Sequence, residues 1–205
     1  MKILVVCEYS GTVRDAFKAN GHDAWSCDIL PTESPGNHIQ GDVLKILDDG
    51  WDMMIGHPPC TYISFAGTRH WNNPGRVFKR LEALTFFAKL WEAPIEKICL
   101  ENPKSCASPV IAKYTQMIQP YYFGNRDYKT TWLWLKNLPN LVHSGIDGIF
   151  DKKTHTQKPK PYSTTIVAKT GKEKMHHFTA GKLRDPHKRA KTFQGIAEAM
   201  AEQWG

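Results

Sequence analysis

Trp51-Asp52-Met53-Met54-Ile55-Gly56-His57-Pro58-Pro59-Cys60-Thr61 is an apolar run that stops abruptly in a cysteine loop. A second run, Ile95-Glu96-Lys97-Ile98-Cys99-Leu100, stops in Glu101-Asn102-Pro103. Short apolar runs closed by turn residues read as strands covered on both faces. Each motif then sits at the end of a strand, where open α/β sheets hold their ligands. A cysteine and a carboxylate delivered side by side suit nucleophilic attack on a pyrimidine ring.

The flanking sequence supports the same architecture. Residues 2–7 form a continuous β-type run, and Glu8-Tyr9-Ser10-Gly11 turns the chain. Thr12 to Asn20 carries Val13, Ala16 and Phe17 at helical spacing, closed by Asn20-Gly21. His22 to Cys27 reads as a strand ending at Asp28, Pro31 to Asn37 as a loop, and Val43 to Leu47 as a short helix. A long loop from His57 to about Asn73 precedes a helix from Val77 to Trp91, with Phe78, Leu81, Leu84, Leu90 and Trp91 on its apolar pattern. Tyr121–Gly124 and Thr131–Leu135 read as two further strands; Trp132 and Trp134 share one face of the second and read as sheet packing. Residues 143–188 show little periodicity, and Thr192 to Trp204 is a final amphipathic helix with Phe193, Ile196, Ala197, Met200 and Trp204 on one side. Strand alternating with helix predicts an α/β fold: a doubly wound, Rossmann-like sheet with helices on both faces and a small basic C-terminal insertion.

Composition narrows the classes. The 205 residues are 41% hydrophobic, the mean hydropathy is −0.46, and no apolar stretch approaches the roughly 20 residues that span a bilayer. The first apolar run is too short and too soon polar for a signal peptide, so a cytoplasmic, membrane-free protein is expected. Five cysteines without Cys-x-x-Cys pairing fit free thiols in a reducing compartment. The net charge is +7, and it is unevenly spread. Between Asp151 and Lys191 twelve Lys/Arg face three Asp/Glu, which leaves the remainder slightly acidic. That segment suits a polyanionic partner or a solvated tail. His155, His176, His177 and His187 lie in or near it, but their spacing matches no zinc pattern, so no metal is expected.

The first strand, the Ser10-Gly11 turn and the first helix outline a cofactor cradle. Gly11 admits a ligand close to the backbone, the helix N-terminus offers N–H groups, and Asp28 stands where a ribose hydroxyl would bind. Tyr9-Ser10-Gly11-Thr12-Val13-Arg14 has one glycine where a dinucleotide fingerprint needs three. Glu101 follows a buried run, so its carboxylate needs a partner or a ligand.

Pro58-Pro59-Cys60, Ser64-Phe65-Ala66-Gly67, Glu101-Asn102-Pro103 and the order of elements resemble the cytosine-5 DNA methyltransferases, especially the short bacteriophage type with its His-Pro-Pro-Cys-Thr-Tyr loop. The resemblance covers residues 2–142 and the last helix. It implies S-adenosyl-L-methionine as cofactor, DNA as partner and a role for each matching residue. Ser10, Gly11, Val13 and Pro58 would line the cofactor pocket. Asp28 and Ile29 would meet its ribose and adenine, and Asp42 and Val43 the adenine edge. Cys60 would be the nucleophile and Glu101 the acid that holds the base. The family's Gln-x-Arg-x-Arg motif is altered: Lys129 aligns with its first arginine, and Arg126 offers a displaced charge. The division implied is a catalytic core at 1–142, a reduced DNA-recognition segment at 143–190 and a returning helix at 191–205, in a bacterial or phage-infected cell. Two alternatives stay open, a C5-modifying enzyme of free pyrimidine nucleotides and a non-catalytic DNA-binding protein with this fold. Oligomeric state is left undetermined.

Overall fold

The computed structural model describes residues 1–125, 127, 129–143, 162–167, 173–178 and 191–205. In chain order the elements are β1 (Lys2–Val6), α1 (Thr12–Ala19), β2 (Asp23–Asp28), β3 (His38–Gln40), β4 (Met53–Gly56), α2 (Arg76–Trp91), β5 (Lys97–Pro103), α3 (Ala107–Val110), β6 (Gln116–Ile118), β7 (Thr131–Lys136), β8 (Tyr162–Val167), β9 (Glu173–Phe178) and α4 (Gln194–Trp204). Seven strands form one sheet in the order β3-β2-β1-β4-β5-β7-β6, in which β7 alone runs against the rest. This is the Rossmann-like sheet that the alternation of elements predicts.

Alternate residues of each strand supply two cores, as the two-residue repeat of a strand requires. Ile3, Val5, Met53, Ile55 and Cys99 pack with Val13 and Phe17 of α1 and Ile196, Met200 and Trp204 of α4. Leu4, Val6, Met54, Ile98 and Leu100 pack on the other face with Phe87 and Leu90 of α2, Trp51 and Trp134. Both faces are covered, so the central strands read as unbroken apolar runs. The last helix packs against α1 and against Ile3 and Val5 of β1. Trp132 and Trp134 are packing residues: Trp132 stacks on Tyr114 at 4.1 Å and Trp134 meets Phe87 edge-on at 5.0 Å.

Four readings need correction. Tyr121–Gly124 is not a strand. Pro120 opens a 3-10 turn over Pro120–Phe123, and Gly124, at φ 81°, closes it; the strand preceding β7 is the three-residue β6. The short helix after Asp42 is a single 3-10 turn, Val43–Lys45. Only the C-terminal half of α2 packs on the sheet, with Phe87 and Leu90 buried, while Phe78 and Leu81 are exposed. A 16-residue helix is about 24 Å long and outruns the four-residue β4 that leads to it. Within the segment read as aperiodic, β8 and β9 pair as an antiparallel hairpin, with Tyr162 opposite Phe178. Their Thr-Thr-Ile-Val and Lys-Met-His-His stretches do not alternate cleanly, which hides the strands from a periodicity argument. The rest of 144–190 and the histidine side chains within it lie outside the described residues. Among the described residues, no helix is long and apolar enough to cross a membrane.

Gly195, at the start of α4, abuts the turn at Pro120–Phe123; a Cβ there would collide with the carbonyl oxygen of Phe123. Gly195→Ala should cost about 1–3 kcal/mol, as overpacking does. Gly41→Ala, where a Cβ meets nothing within 4 Å, should stay within about 0.5 kcal/mol of wild type. Thermal or urea unfolding of the two variants checks both values.

Candidate active site

Gly56 pairs with Leu100 in the parallel β4–β5 register, so His57 leaves the sheet beside Glu101, while β5 runs on through Glu101-Asn102-Pro103 paired with β7 rather than ending at Leu100 as the sequence suggests. The His57 N–H donates to the Val6 carbonyl at 3.0 Å, holding this exit against β1. Glu101 is 8% exposed. Its Oε2 lies 3.2 Å from His57 Nδ1 and accepts from Thr192 Oγ1 at 3.4 Å. Its Oε1 is 3.9 Å from Lys129 Nζ. Thr192 Oγ1 is also 3.4 Å from His57 Nδ1, so the three groups form one cluster. The partner that a buried carboxylate requires is therefore supplied by protein groups from three separate segments.

Electrostatics follow from that geometry. Burial works against the charged form of Glu101, but the His57 hydrogen bond and the charges of Lys129 and His57 outweigh it, bringing the pKa down to about 2. Burial alone would depress His57. The hydrogen bond and charge of Glu101, with a further push from Glu8, win over it and over Lys129, so the imidazole pKa lies above its ordinary 6.5. His57 Nε2 is buried and has no hydrogen-bond partner among the described residues.

The cysteine loop is bound to the same strand. Asn102, next to Glu101 and 1% exposed, donates from Nδ2 to the Pro58 carbonyl at 2.7 Å. The Cys60 carbonyl accepts from Ile63 N–H at 3.2 Å and Ser64 N–H at 2.9 Å. Beyond it the loop is laced to the chain leaving β5: Ser64 bridges Ser105, Phe65 N–H donates to Lys104 O at 2.9 Å, and Cys106 N–H to Ile63 O at 3.0 Å. All five cysteines are free, and Cys60 is half-buried. Burial pushes the thiols of Cys7, Cys99 and Cys106 up, and that of Cys27 to about 11. Those four are unreactive thiols by the usual criterion.

The cradle beside β1 differs from the sequence reading in one respect. The N–H groups at the start of α1 are not open to a ligand. Glu8, 4% exposed, accepts from Val13 N–H at 2.6 Å and Arg14 N–H at 3.2 Å. Cys7, in the left-handed region at φ 57°, turns the chain out of β1 just before it. Gly11 lies buried in the following turn at φ 76°, where a Cβ would strike the Arg14 guanidinium. Arg14 is wholly buried and holds the loop after β2 through Ser26, Thr32 and the Ser34 and Pro35 carbonyls. Ser10 is half-buried and contacts Glu8 and Thr12.

The remaining cofactor-side residues divide in two. Val13 and Val43 bury their side chains in the core and Pro58 is buried, so their side chains are packing groups first. Asp28 accepts the Leu30 N–H through Oδ1 at 2.9 Å, and Ile29 beside it is 75% exposed. Asp42 caps the following 3-10 turn through Oδ1 and is exposed. A surface groove of about 650 Å³ runs between α1 and α4, lined by Ser10, Thr12, Asp15, Gln194 and Glu198 among others. It touches the cradle only at Ser10 and reaches neither Asp28 nor Cys60, so the strand ends, not this groove, are the candidate site. Lys129 stands at Glu101, while Arg126 lies outside the described residues. Among the described residues, no His/Cys/Asp/Glu group could hold a metal. His57, Thr192 and Glu8 were not picked out from sequence as site residues. His57 has a local signal, its place at the strand end; Thr192 has none.

No family model matches the sequence, and no curated protein does. Among solved structures, a prophage-encoded E. coli protein described as a candidate DNA modification methyltransferase aligns at TM-score 0.40 with 14% identity, over 65% of this chain and 45% of that one. The chain thus spans less than half of that protein's length, and a likeness this slight says nothing of activity.

The Glu101–His57 pair makes stability depend on pH in two directions. Glu101, depressed on folding, stabilises fully above its unfolded pKa of about 4.5, and this is lost as pH falls toward about 2. His57, raised on folding, stabilises fully below about 6.5, and this is lost as pH rises through its folded pKa. Unfolding midpoints measured from pH 3 to 9 should therefore fall on both sides of a plateau near pH 5–6. Glu101→Gln should lie lower on that plateau and show weaker dependence on either side.

Proposed function

We propose that this chain transfers a methyl group from S-adenosylmethionine to carbon 5 of cytosine in DNA, through a covalent bond between Cys60 and carbon 6. One observation carries the reading. The loop bearing Cys60 leaves β4 beside the buried carboxylate of Glu101 in β5, and the two segments are tied together, by Asn102 to Pro58 and by Glu101 to His57.

The cradle residues fit such a cofactor. Asp28 has one carboxylate oxygen engaged by Leu30 and another free among the described residues, with the exposed Ile29 alongside. An acceptor next to an apolar surface suits a ribose diol and a purine. Glu8 fills the N-terminus of α1 with a carboxyl group, which disfavours the pyrophosphate of a dinucleotide there. Ser10, Gly11, Asp28, Ile29 and Asp42 would hold the cofactor, with Val13, Pro58 and Val43 backing it through the core. Bound there, it would supply an electrophilic methyl group.

Cytosine carbon 5 is a weak nucleophile until carbon 6 is attacked. The Cys60 thiolate forms the sulfur–carbon 6 bond, and the ring electrons shift toward carbon 5 and N3. Glu101 holds N3 and the exocyclic amine and gives N3 a proton, which stabilises the adduct. Lys129 keeps positive charge beside that carboxyl group. Once carbon 5 is methylated, its proton is lost to a base, the sulfur–carbon bond breaks, and N3 returns its proton. A base within a duplex is stacked, so the target must be flipped out. The basic segment at 143–190, with the β8–β9 hairpin, is the part assigned to phosphate contact. It is small, which favours a short recognition sequence. The division into core, recognition segment and returning helix, and a cytoplasmic setting, belong to the same proposal.

Tritiated S-adenosylmethionine offered with duplex DNA or with deoxycytidine monophosphate tests this reading. Label should enter DNA, and Cys60→Ser should reduce it on the order of 10³-fold or more while leaving DNA affinity intact. Label confined to the nucleotide would make the chain a nucleotide-modifying enzyme. DNA binding without label in either would make it a non-catalytic binder.

A further inference from the structure

A carboxyl group with a pKa near 2 is ionised at neutral pH, yet the proposed reaction asks Glu101 to give N3 a proton. The proton has to reach Glu101 from a neighbour. Among the described residues, three groups stand around it. Thr192 is a hydroxyl, far too weak an acid. Lys129 Nζ stands at 3.9 Å from Oε1, beyond hydrogen-bond range. His57 Nδ1 is at 3.2 Å from Oε2, and an imidazolium titrates near neutrality.

We propose that His57 is the positioning and proton-supplying partner of Glu101. Its Nδ1 hydrogen fixes the carboxylate at the strand end and passes to it as the carboxyl group gives a proton to N3 of the enclosed base. The inference rests on the pyrimidine chemistry proposed above. Before attack, the proton sits on His57 and Glu101 is a carboxylate. As sulfur bonds to carbon 6, Nδ1 passes its proton to Glu101 Oε2 and Glu101 gives a proton to N3, which leaves a neutral imidazole and a carboxylate. Elimination of the thiolate returns the proton along the same path, so the cycle closes without an outside acid.

The surroundings of the ring suit this role. Nε2 is buried without an acceptor among the described residues, so nothing there competes with Glu101 for the ring's mobile proton. Among the described residues, each charged group acting on the ring has a defined effect. Glu8, from the turn after β1, and Glu101, from β5, favour the cation; Lys129, from the segment before β7, opposes it. The backbone bond from His57 N–H to Val6 O keeps the ring at this exit.

Two measurements test the proposal. Nitrogen-15 NMR of labelled histidine should show His57 titrating above 6.5 in the wild type. It should fall in Glu101→Gln and stay put in Cys60→Ser. His57→Asn keeps a hydrogen-bond donor near the Nδ1 position but cannot carry a proton. Its kcat on DNA should drop about 10²–10⁴-fold with little change in KM, and the alkaline fall of wild-type kcat should vanish. Wild-type kcat and an unchanged alkaline limb in His57→Asn would overturn the proposal. So would an imidazole titration indifferent to Glu101→Gln, which is read whether or not the chain methylates anything. Failure of the methyltransferase reading itself would appear separately, as no label transferred by the wild type.

Discussion

Removing an isolated carboxylate from water costs several kcal/mol after relaxation, and Glu101 is almost fully removed. The ion survives because three segments far apart in the chain converge on it. His57 comes from the exit of β4, Lys129 from the approach to β7, and Thr192 from the approach to α4. The ends of two parallel strands, the antiparallel strand and the C-terminal helix are thereby bound to one point. Loss of any one partner leaves Glu101 an under-compensated charge, so the cluster is a structural tie.

A second buried acid repeats the logic on the other side of His57. Glu8 follows β1 as Glu101 extends β5, and it uses its carboxyl group to satisfy the first N–H groups of α1. Burial raises its pKa while the charge of His57 and the two N–H groups pull against that rise. Two carboxyl groups flanking one imidazole, with their proton affinities pushed in opposite directions, is the kind of arrangement that sorts acid from base at a catalytic centre. Alongside it the loop of Cys60 is held by backbone bonds to the chain leaving β5 and by the buried Ile63, with the Cys60 thiol partly open while Cys27, Cys99 and Cys106 serve as core.

Parallel strands covered on both faces declare themselves, which is why β1, β4 and β5 could be read from residue order, and with them the positions of Cys60 and Glu101. Three-residue strands such as β3 and β6 are too short for any periodicity. The aromatic stretch Tyr121-Tyr122-Phe123 has strong strand propensity, but Pro120 presets a turn and Gly124 ends it. Glu8 occupies the N-terminus of α1 that a glycine turn suggested would be vacant. A cap supplied by a side chain from before the turn leaves no local pattern to recognise.

Residue order by itself determined an α/β sheet, with a cysteine loop leaving β4 beside a carboxylate in β5. These rest on local signals: apolar runs, helical spacing, and prolines and glycines that stop an element. The partners of Glu101 were decided only in three dimensions. His57, Lys129 and Thr192 share no spacing with it, and a buried charge finds its neighbours through the closure of the whole chain around it.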